Sequence, residues 1–393
     1  MDNNSLEINK KQLITRGVEE IIDADSLAEK IKSGKKLRVK LGIDPTSPYL
    51  HLGRSIPLLK LRDFQQLGHQ IILIIGDFTG LIGDTSDKES ERPMLSEKTV
   101  KANARTYIKQ AAKVIDVKKA EVYYNSRWLK KLDYLEINRQ ADHFSLSEFI
   151  ARENISQRLQ SGRRISLREL LYPLMQGYDS VRVKADVEVG GTDQRFNLLV
   201  GRDMQRFYGQ PPQDIITNPL IEGLDGRKMS SSFGNTVNLL DSPNEMFGKI
   251  MSLRDELIIK YFVLLTRVDQ KVIADYQRQL VQGVNPRDIK INLASTLVSM
   301  YHSESEAQAA REYFEKTFSQ KKIPDNRPSF KPARYDLISI LTESGLAASK
   351  SEARRLVDQG GVKIDGQVVK DLDCLVPSGS VLQKGKMKFL EIK

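Results

Sequence analysis

Short apolar runs alternate with stretches of helical periodicity in the first part of the chain. Apolar residues dominate Leu37–Ile43, Ile71–Ile75 and Ala120–Tyr124, which predicts three buried strands. Helical periodicity follows the first two runs, over Ser55–Leu67 and Lys98–Ile115. Every residue of the second run is apolar, as is typical of a strand covered on both faces of a parallel sheet. The alternation predicts an α/β fold with a Rossmann-like, doubly wound parallel sheet.

The pattern changes along the rest of the chain and predicts further domains. Residues 5–33 have a helical pattern, and the pattern is helical throughout from 243 to 318. Residues 319–333 have several prolines and no periodicity, which indicates a linker. The final segment, 335–393, combines a short helix with a hairpin turn at 365–366 and predicts a small α+β module. The predicted domains are a Rossmann-like domain over 1–236, with a connective segment at about 142–168, a helical domain over 237–320, a linker over 321–334 and the module over 335–393.

The first predicted strand leads into a loop and a helix start that carry polar side chains. Asp44 and Thr46 follow the strand, and His51, Gly53 and Arg54 open the next helix. In α/β proteins such a junction binds phosphate, because free backbone N–H groups and the positive end of the helix dipole point outward. His51 and Arg54 are three residues apart and therefore share one face of the first turn. For this motif alone, an ordinary surface loop is the alternative.

Two later loops add candidate binding groups. The segment Gly223–Asn235 is rich in Gly and Ser and carries Lys228 near its centre. The segment Gly190–Gln194, with the sequence GGTDQ, places paired glycines before a carboxylate. Such glycines allow a ribose to approach the backbone closely.

The middle of the chain offers one more polar helix face and a basic connection. Tyr172, Gln176 and Asp179 follow at helical spacing and lie on one face of a helix predicted from Leu167 to Gly177. Ordinary exposure at a helix end is the alternative. The preceding polar segment is basic around Arg158, Arg163 and Arg164, which fits a solvated helix face, a dimer surface or an RNA surface.

Composition narrows the class of protein. The chain of 393 residues has a formal net charge of +10 and 40% hydrophobic residues. A basic balance favours partners that carry phosphates. No stretch is long and apolar enough to span a bilayer, and the N-terminal residues lack the apolar core of a signal peptide, so a cytoplasmic location is expected. Cys374 is the only cysteine, and the four histidines lack metal-ligand spacing, so no protein-held metal is expected.

Two short motifs give the chain a specific resemblance. HLGR at 51–54 and KMSSS at 228–232 resemble the HIGH and KMSKS signatures of class I aminoacyl-tRNA synthetases, in the same order. GIDPTSPYLHLGR, GDFTGLIGD, YPLMQGYDS, DVEVGGTDQRFNLL and the terminal module extend the resemblance to bacterial tyrosyl-tRNA synthetases, from about the first strand to the C-terminus. The resemblance implies a tyrosine–tRNA ligase. Such an enzyme makes tyrosyl-adenylate and pyrophosphate from L-tyrosine and ATP, and then transfers tyrosyl to the terminal adenosine of tRNA(Tyr).

The same resemblance implies partners and domain roles. ATP would bind as its Mg complex, as a substrate, with no tightly bound cofactor and no membrane partner. The domain over 1–236 would be catalytic and the domain over 237–320 would bind the anticodon. The module over 335–393 would bind RNA, with Arg354 and Arg355 contacting tRNA. A homodimer is expected.

By motif position, the resemblance assigns three groups of site residues. Catalytic roles fall to His51, Arg54, Lys88, Arg92, Lys228 and Ser231. ATP would contact Asp44, Thr46, His51, Gly53, Gly191, Asp193 and Lys228. Tyrosine would contact Lys40, Thr79, Asp84, Asn125, Tyr172, Gln176, Asp179 and Gln194. Asp179 would receive the phenol hydroxyl, so selectivity against phenylalanine would depend on it.

Some positions depart from the family pattern. Arg54 stands where the first motif usually has its second His, and Ser231 stands where KMSKS has its second Lys. Asp87 adds negative charge beside Lys88. Lys40 stands where one branch of the family has a Tyr that touches the substrate phenol, while a second branch carries Lys. Two alternative functions follow: an adenylating enzyme that no longer charges tRNA, and a non-enzymatic RNA-binding protein built on a synthetase fold.

Overall fold

The computed structural model describes residues 12–84, 94–319, 327–385 and 388–393. The chain falls into two compact units. The first comprises Met1–Asp241 and Ser252–Leu293, and the second comprises Ser242–Met251 and Ala294–Lys393. In the described ranges, no helix combines the length and the apolar character needed to cross a membrane.

One or more helices separate each strand of the first unit from the next, as the apolar pattern predicts for the first strands. The strands of the chain are β1 (Glu20–Ile22), β2 (Arg38–Ile43), β3 (Gln70–Ile75), β4 (Glu121–Tyr124), β5 (Val187–Gly191), β6 (Asp214–Asn218), β7 (Ser329–Phe330), β8 (Val362–Ile364), β9 (Gln367–Val368), β10 (Val381–Lys384) and β11 (Lys388–Ile392). The helices are α1 (Ala24–Lys32), α2 (Leu52–Gln66), α3 (Thr79–Ile82), α4 (Glu97–Ala111), α5 (Ser126–Leu129), α6 (Tyr134–Asp142), α7 (Leu146–Ile150), α8 (Glu153–Gln160), α9 (Leu167–Val183), α10 (Arg195–Phe207), α11 (Pro243–Met251), α12 (Ile258–Leu265), α13 (Gln270–Val281), α14 (Pro286–Tyr301), α15 (Glu304–Ser319), α16 (Leu337–Glu343) and α17 (Lys350–Asp358).

The first unit is built on a six-stranded sheet with the strand order β1-β6-β5-β2-β3-β4. All neighbouring strands are parallel except β1, which pairs with β6 in the antiparallel direction. The chain proceeds outward from β2 to β4 on one side and from β5 to β6 on the other. The topological switch point therefore lies between β2 and β5, and ligands of open α/β sheets bind at the carboxyl ends of the strands there. This topology confirms the predicted doubly wound sheet.

Burial explains why β3 forms and how it positions its neighbours. Residues 71–75 are all fully buried, as expected for a central strand of a parallel sheet. Ile72 and Ile74 share one apolar cluster with Trp128 of α5 and Val183 at the end of α9. The cluster therefore fixes α5 and α9 next to each other on one face of the sheet.

Three predictions for the first unit differ from the structure. The helical pattern predicted over 5–33 contains β1, because Ile21 and Ile22 extend the sheet by pairing with β6. The helix that starts at Leu167 continues past Gly177 to Val183. Arg158 belongs to none of the three surfaces considered for it, because its guanidinium is buried and donates to Glu169 at 2.6 Å.

The predicted helical domain over 237–320 does not form a compact unit of its own. Helix α12 packs on α2 of the sheet domain. The buried guanidinium of Arg16 donates to the carbonyls of Phe262, Val263 and Val268. These contacts join α12 and the turn that follows it to the first unit, and the division between the units falls at Leu293, inside α14.

The second unit contains α11, α15 and a five-stranded sheet with the order β7-β11-β10-β8-β9. Helices α16 and α17 share the core of this sheet through buried residues such as Leu341, Val357 and Leu382. Asp365 and Gly366 both have positive φ, which confirms the predicted two-residue hairpin turn. Strand β7 pairs with β11 although it lies in the predicted linker, so the sheet begins earlier than the predicted module.

Candidate active site

A cavity of about 540 Å³ lies at the switch point, at the carboxyl ends of β2 and β5. It brings together most of the predicted site residues, from motifs far apart in the sequence. The predicted residues that line it are Asp44, Thr46, His51, Gly53, Arg54, Thr79, Asp84, Asn125, Tyr172, Gln176, Asp179, Gly191, Asp193, Gln194, Lys228 and Ser231.

The remaining predicted residues lie elsewhere. Lys88 and Arg92 lie outside the described residues, as does Asp87. Lys40 belongs to the first unit but does not line the cavity. Arg354 and Arg355 are exposed on α17 of the second unit.

His51 is the residue that precedes α2, and its imidazole is buried at the cavity wall. Burial lowers the pKa of His51 to about 3, with help from the charges of Arg54 and Lys228, so the ring is neutral at pH 7. Its Nδ1 atom has no hydrogen-bond partner among the described residues. A methyl group on Gly53 would lie 3.1 Å from this Nδ1 atom, a tight contact that would press on the ring. A neutral imidazole beside a helix start can donate to a phosphate without adding charge.

The KMSSS loop is held against this helix start by backbone and side-chain bonds. The backbone N–H of Gly53 points at the sulfur of Met229, 3.3 Å away. Asn235 spans the loop, since its amide accepts from the N–H of Ser230 and donates to the carbonyl of Lys228. The Lys228 ammonium lies 3.1 Å from a carboxylate oxygen of Asp193. The loop therefore presents a cation at the cavity next to the GGTDQ segment.

Asp44 occupies the carboxyl end of β2 and joins the two halves of the cavity. Its oxygens accept from the hydroxyls of Thr79 at 2.7 Å and Tyr172 at 2.9 Å. Burial raises the pKa of Asp44 to about 6, and the two hydroxyl donors oppose the rise. A methyl group on Gly76 would lie 1.9 Å from Asp44, so glycine is required there.

Asp179 is the buried carboxylate at the other end of the cavity. It accepts from the indole Nε1 of Trp128 at 2.7 Å and from the amide of Asn125 at 3.2 Å. The same amide donates to Thr79, which links Asp179 to Asp44 through hydrogen bonds. Burial raises the pKa of Asp179 to about 7. Its unused lone pairs are suited to accept a hydrogen bond from a substrate hydroxyl.

Two glutamines of the cavity are bonded to carboxylates. Gln194 donates to Asp84 at 2.6 Å. Gln176 donates to Glu188 of β5 at 3.3 Å. Both carboxylates line the cavity, but Glu188 was not among the predicted site residues.

Lys40 differs most from its predicted place. Its side chain is wholly buried and its ammonium lies 2.8 Å from Glu188, behind the residues that form the wall. It therefore cannot contact a molecule in the cavity in this conformation. The sequence held a signal for its partner, because Glu188 is the only charged residue of the strand sequence VEVGG. A buried charge on a strand needs an opposite charge.

The arrangement separates two chemistries. One end offers a helix start, a neutral imidazole and the Lys228 ammonium, which suits the phosphates of a nucleotide. The other end offers Asp179, Tyr172 and Asp84, which suits a molecule with a hydroxyl and an ammonium group. The described residues include no group of three His, Cys, Asp or Glu side chains that could hold a metal ion.

Comparisons with known proteins agree with this geometry. The family model described as tRNA synthetases class I (W and Y) matches residues 32–319, and the S4 domain model matches residues 337–382. A tyrosine–tRNA ligase of Thermotoga maritima is 46% identical over 386 residues, with 97% of this chain and 96% of its own length covered. A tyrosine–tRNA ligase of Moorella thermoacetica is 47% identical over 391 residues, with 97% and 95% covered.

A solved structure has the same fold. The tyrosyl-tRNA synthetase of Archaeoglobus fulgidus, complexed with L-tyrosine, superposes with a TM-score of 0.62 at 24% identity. The superposition covers 78% of this chain and 99% of that one. The family matches, the full-length identity and the shared fold lead to one conclusion: the chain belongs to the class I tRNA synthetases of tryptophan and tyrosine, and within them to the bacterial tyrosyl-tRNA synthetases.

Proposed function

We propose that this chain is a tyrosine–tRNA ligase that works in two steps at the cavity between β2 and β5. In the first step the carboxylate of L-tyrosine attacks the α-phosphate of ATP, giving tyrosyl-adenylate and pyrophosphate. In the second step the terminal adenosine of tRNA(Tyr) attacks the activated carbonyl, giving tyrosyl-tRNA and AMP. Neither step needs a covalent enzyme intermediate, so catalysis depends on positioning and on stabilising charge at the phosphate.

The observation that supports tyrosine as the substrate is the environment of Asp179. Trp128 and Asn125 hold its two oxygens, and the carboxylate faces the cavity between them. A phenol hydroxyl donates to this carboxylate, whereas phenylalanine leaves a buried carboxylate without that donor. Sites built to bond a substrate hydroxyl reject the analogue that lacks it by several orders of magnitude. Tyr172, Gln176 and Asp84 then take the tyrosine ammonium.

The ATP end is supported by the two signature motifs. His51 and Thr46 contact the phosphates, while Gly191 and Asp193 contact the ribose. Lys228 stabilises the pyrophosphate as it leaves, and its present contact with Asp193 gives way when the nucleotide enters. ATP enters as its Mg complex, in which the metal offsets phosphate charge. Arg54 and Ser231 keep hydrogen-bonding groups at the two positions that depart from the family pattern.

The second unit supports the tRNA step. Arg354 and Arg355 lie on the exposed face of α17, within the segment that matches the S4 domain model. Their guanidiniums can contact phosphates of the tRNA.

We also propose that the chain is cytoplasmic and forms a homodimer. The dimer is supported by large exposed apolar side chains that concentrate between residues 134 and 171, among them Tyr134, Leu146 and Leu167. Static light scattering of the purified chain tests the dimer.

ATP–pyrophosphate exchange with each amino acid in turn tests the first step. We expect exchange with tyrosine and none above background with phenylalanine. Charging of tRNA with labelled tyrosine then tests the second step. Exchange without charging would favour an adenylating enzyme, and tRNA binding without exchange would favour a non-enzymatic RNA-binding protein.

A further inference from the structure

Lys40 and Glu188 form a buried ion pair at the tyrosine end of the cavity, in which Glu188 lines the cavity and Lys40 lies behind it. Their Nζ and Oε1 atoms are 2.8 Å apart, and the two side chains are 0% and 1% exposed. Desolvating two charges is costly, so such a pair is stable only when hydrogen bonds satisfy its other donors and acceptors. The pair meets that condition.

The bonds of the pair converge on one turn of α9. The Lys40 ammonium donates to the hydroxyl of Ser180 at 2.7 Å and to the carbonyl of Gln176 at 3.1 Å. Glu188 accepts from the side chain of Gln176 at 3.3 Å, from the hydroxyl of Ser180 at 3.0 Å and from the amide of Gln213. Strands β2 and β5 therefore clamp the helix at both ends of the turn from Gln176 to Ser180.

Asp179 lies within the clamped turn. Asp179 lines the cavity, and so does Gln176, whose side chain also donates to Glu188. The carbonyl of Gln176 and the hydroxyl of Ser180 accept from Lys40. The turn cannot shift along the sheet without breaking the bonds to Lys40. The pair thus determines where two of the proposed tyrosine contacts lie, although Lys40 touches nothing in the cavity.

Both charges of the pair also act on Asp179. Lys40 on β2 favours its ionised form, while Glu188 on β5 disfavours it. Tyr172 on the same helix interacts with Asp179 and, at its hydroxyl, with Asp44 beyond β2. Burial raises the pKa of Asp179 to about 7, and Lys40 is the main group that opposes the rise.

We infer that Lys40 and Glu188 are positioning residues for tyrosine recognition. They hold the turn that carries Gln176 and Asp179, and the Lys40 charge favours the form of Asp179 that accepts a hydrogen bond from the phenol hydroxyl. The inference rests on the proposed function and moves Lys40 from the tyrosine-contacting group to a layer behind it.

The test compares the Lys40→Met and Glu188→Gln variants of the full chain in ATP–pyrophosphate exchange from pH 6 to pH 9. Loss of the Lys40 charge raises the pKa of Asp179. We therefore expect the pH midpoint of the tyrosine KM to move upward by about one unit and the KM at pH 7 to rise about fivefold. Loss of the Glu188 charge moves the midpoint downward. The KM for ATP stays unchanged in both variants.

Opposite shifts of the pH midpoint in the two variants would distinguish the inferred role from a general loss of packing. If both variants raise the tyrosine KM equally at every pH, the pair is structural only and the inference is wrong. Lys40→Arg keeps the charge and should keep the wild-type midpoint. Lys30→Met is a matched control, because Lys30 also pairs with a strand carboxylate, Asp214, but this carboxylate, unlike Glu188, does not line the cavity.

Two further outcomes are informative. If Lys40→Met does not fold, Glu188→Gln and Lys40→Arg still give the downward and unchanged midpoints that the inference requires. If the wild-type chain shows no tyrosine-dependent exchange, the proposed function fails and the inference fails with it. An active wild type with a Lys40→Met variant of unchanged pH profile overturns the inference alone.

Discussion

Burial raises the pKa values of two carboxyl groups of the cavity toward neutral pH. The pKa of Asp44 is raised to about 6 and that of Asp179 to about 7. Burial acts in the opposite direction on the base His51, whose pKa is lowered to about 3. A fall in pH from 8 to 6 therefore protonates most of Asp179 and about half of Asp44, and it leaves the imidazole neutral.

Replacing Asp179 by Asn should have opposite effects on stability and on selectivity. The folded pKa of Asp179 lies above the ordinary value of 3.8, so its ionised form destabilises the fold above pH 7, and this cost disappears below about pH 4. We expect the variant to raise the free energy of unfolding at pH 8 by a few kcal/mol, because each unit of the pKa shift corresponds to about 1.4 kcal/mol. At pH 4 we expect little change. Selectivity for tyrosine over phenylalanine should fall by about 100-fold or more. Urea unfolding at the two pH values measures the first effect, and equal gains at both would contradict it.

Replacing Trp128 by Phe should weaken tyrosine binding without affecting ATP. The change removes one of the two protein donors to Asp179 and keeps most of the apolar contacts with Ile72 and Ile74. A hydrogen bond to a charged group contributes about 1.5–3 kcal/mol, so we expect the tyrosine KM at pH 7 to rise about tenfold or more. The effect should shrink at pH 9, where Asp179 is ionised in any case. Steady-state exchange kinetics measure it, and a rise that persists unchanged at pH 9 would count against this explanation.

The sequence predicted which residues line the cavity more accurately than it predicted what those residues contact. Motif position placed Asp179 and Gln176 in the tyrosine group and Asp44 in the ATP group, and the fold brings all three to one cavity. It placed Lys40 there too, because position along β2 does not reveal whether a long side chain reaches the cavity or a buried partner. Trp128 had no assigned role, since its bond to Asp179 depends on the tertiary packing of α5 against α9.

At the scale of elements, helix α9 carries Tyr172, Gln176 and Asp179 and is anchored at its first turn. Glu169 accepts from the N–H of Ser166 and from the buried guanidinium of Arg158. Arg158 belongs to the connective segment at about 142–168, for which the sequence indicated only a basic character. Helix α9 therefore depends on the connective segment for its position.

Replacing Arg158 by Met should destabilise the first unit strongly. The change leaves the buried carboxylate of Glu169 without its cation, and breaking a buried pair in this way costs about 3–5 kcal/mol. Urea unfolding measures it. Arg163→Met, at an exposed arginine of the same segment, is the control and should change stability by less than about 0.5 kcal/mol. The double variant Arg158→Met, Glu169→Leu should recover part of the stability, and no recovery would show that the pair contributes more than charge balance.

Replacing Asn235 by Ala should loosen the KMSSS loop and act on the ATP side alone. The amide of Asn235 holds Ser230, Lys228 and the side chain of Asp225. Without it the loop samples more conformations, so we expect exchange to slow about tenfold and the KM for ATP to rise. The KM for tyrosine serves as the internal control and should stay constant. A change in the tyrosine KM alone would rule out this role.

The bounds of helices and strands were predictable where the local sequence pattern determines them. They were not predictable where pairing with a distant segment determines them. The apolar run of β3 and the turn at Asp365 and Gly366 needed no distant partner. Strand β1 did, because three residues form a strand only against β6. The extra residues of α9 beyond Gly177 are stabilised by the apolar cluster that contains Val183.

At the scale of the whole molecule, the proposed function assigns tyrosine activation to the first unit and tRNA contact to the second. Replacing Arg354 and Arg355 by Glu should therefore raise the KM for tRNA about tenfold or more and leave tyrosine-dependent exchange unchanged. The slope of log affinity against log salt should become shallower by about 0.7–0.9 for each phosphate that the variant no longer neutralises. Filter binding at several salt concentrations measures it. The same charge change at exposed Lys118 and Lys119 of the first unit is the control, and an equal effect there would make the role of α17 non-specific.

The antiparallel pairing of β1 with β6 has a consequence for synthesis of the chain. Glu20 pairs with Thr217, so β1 leaves the ribosome long before the strand with which it pairs. Being three residues long, β1 offers little edge for pairing with other chains while it waits. When β6 emerges, β1 is already present to cover an edge whose residues are all buried in the folded unit. A chain made without β1 would expose that edge, and it should aggregate during expression through strand-to-strand association.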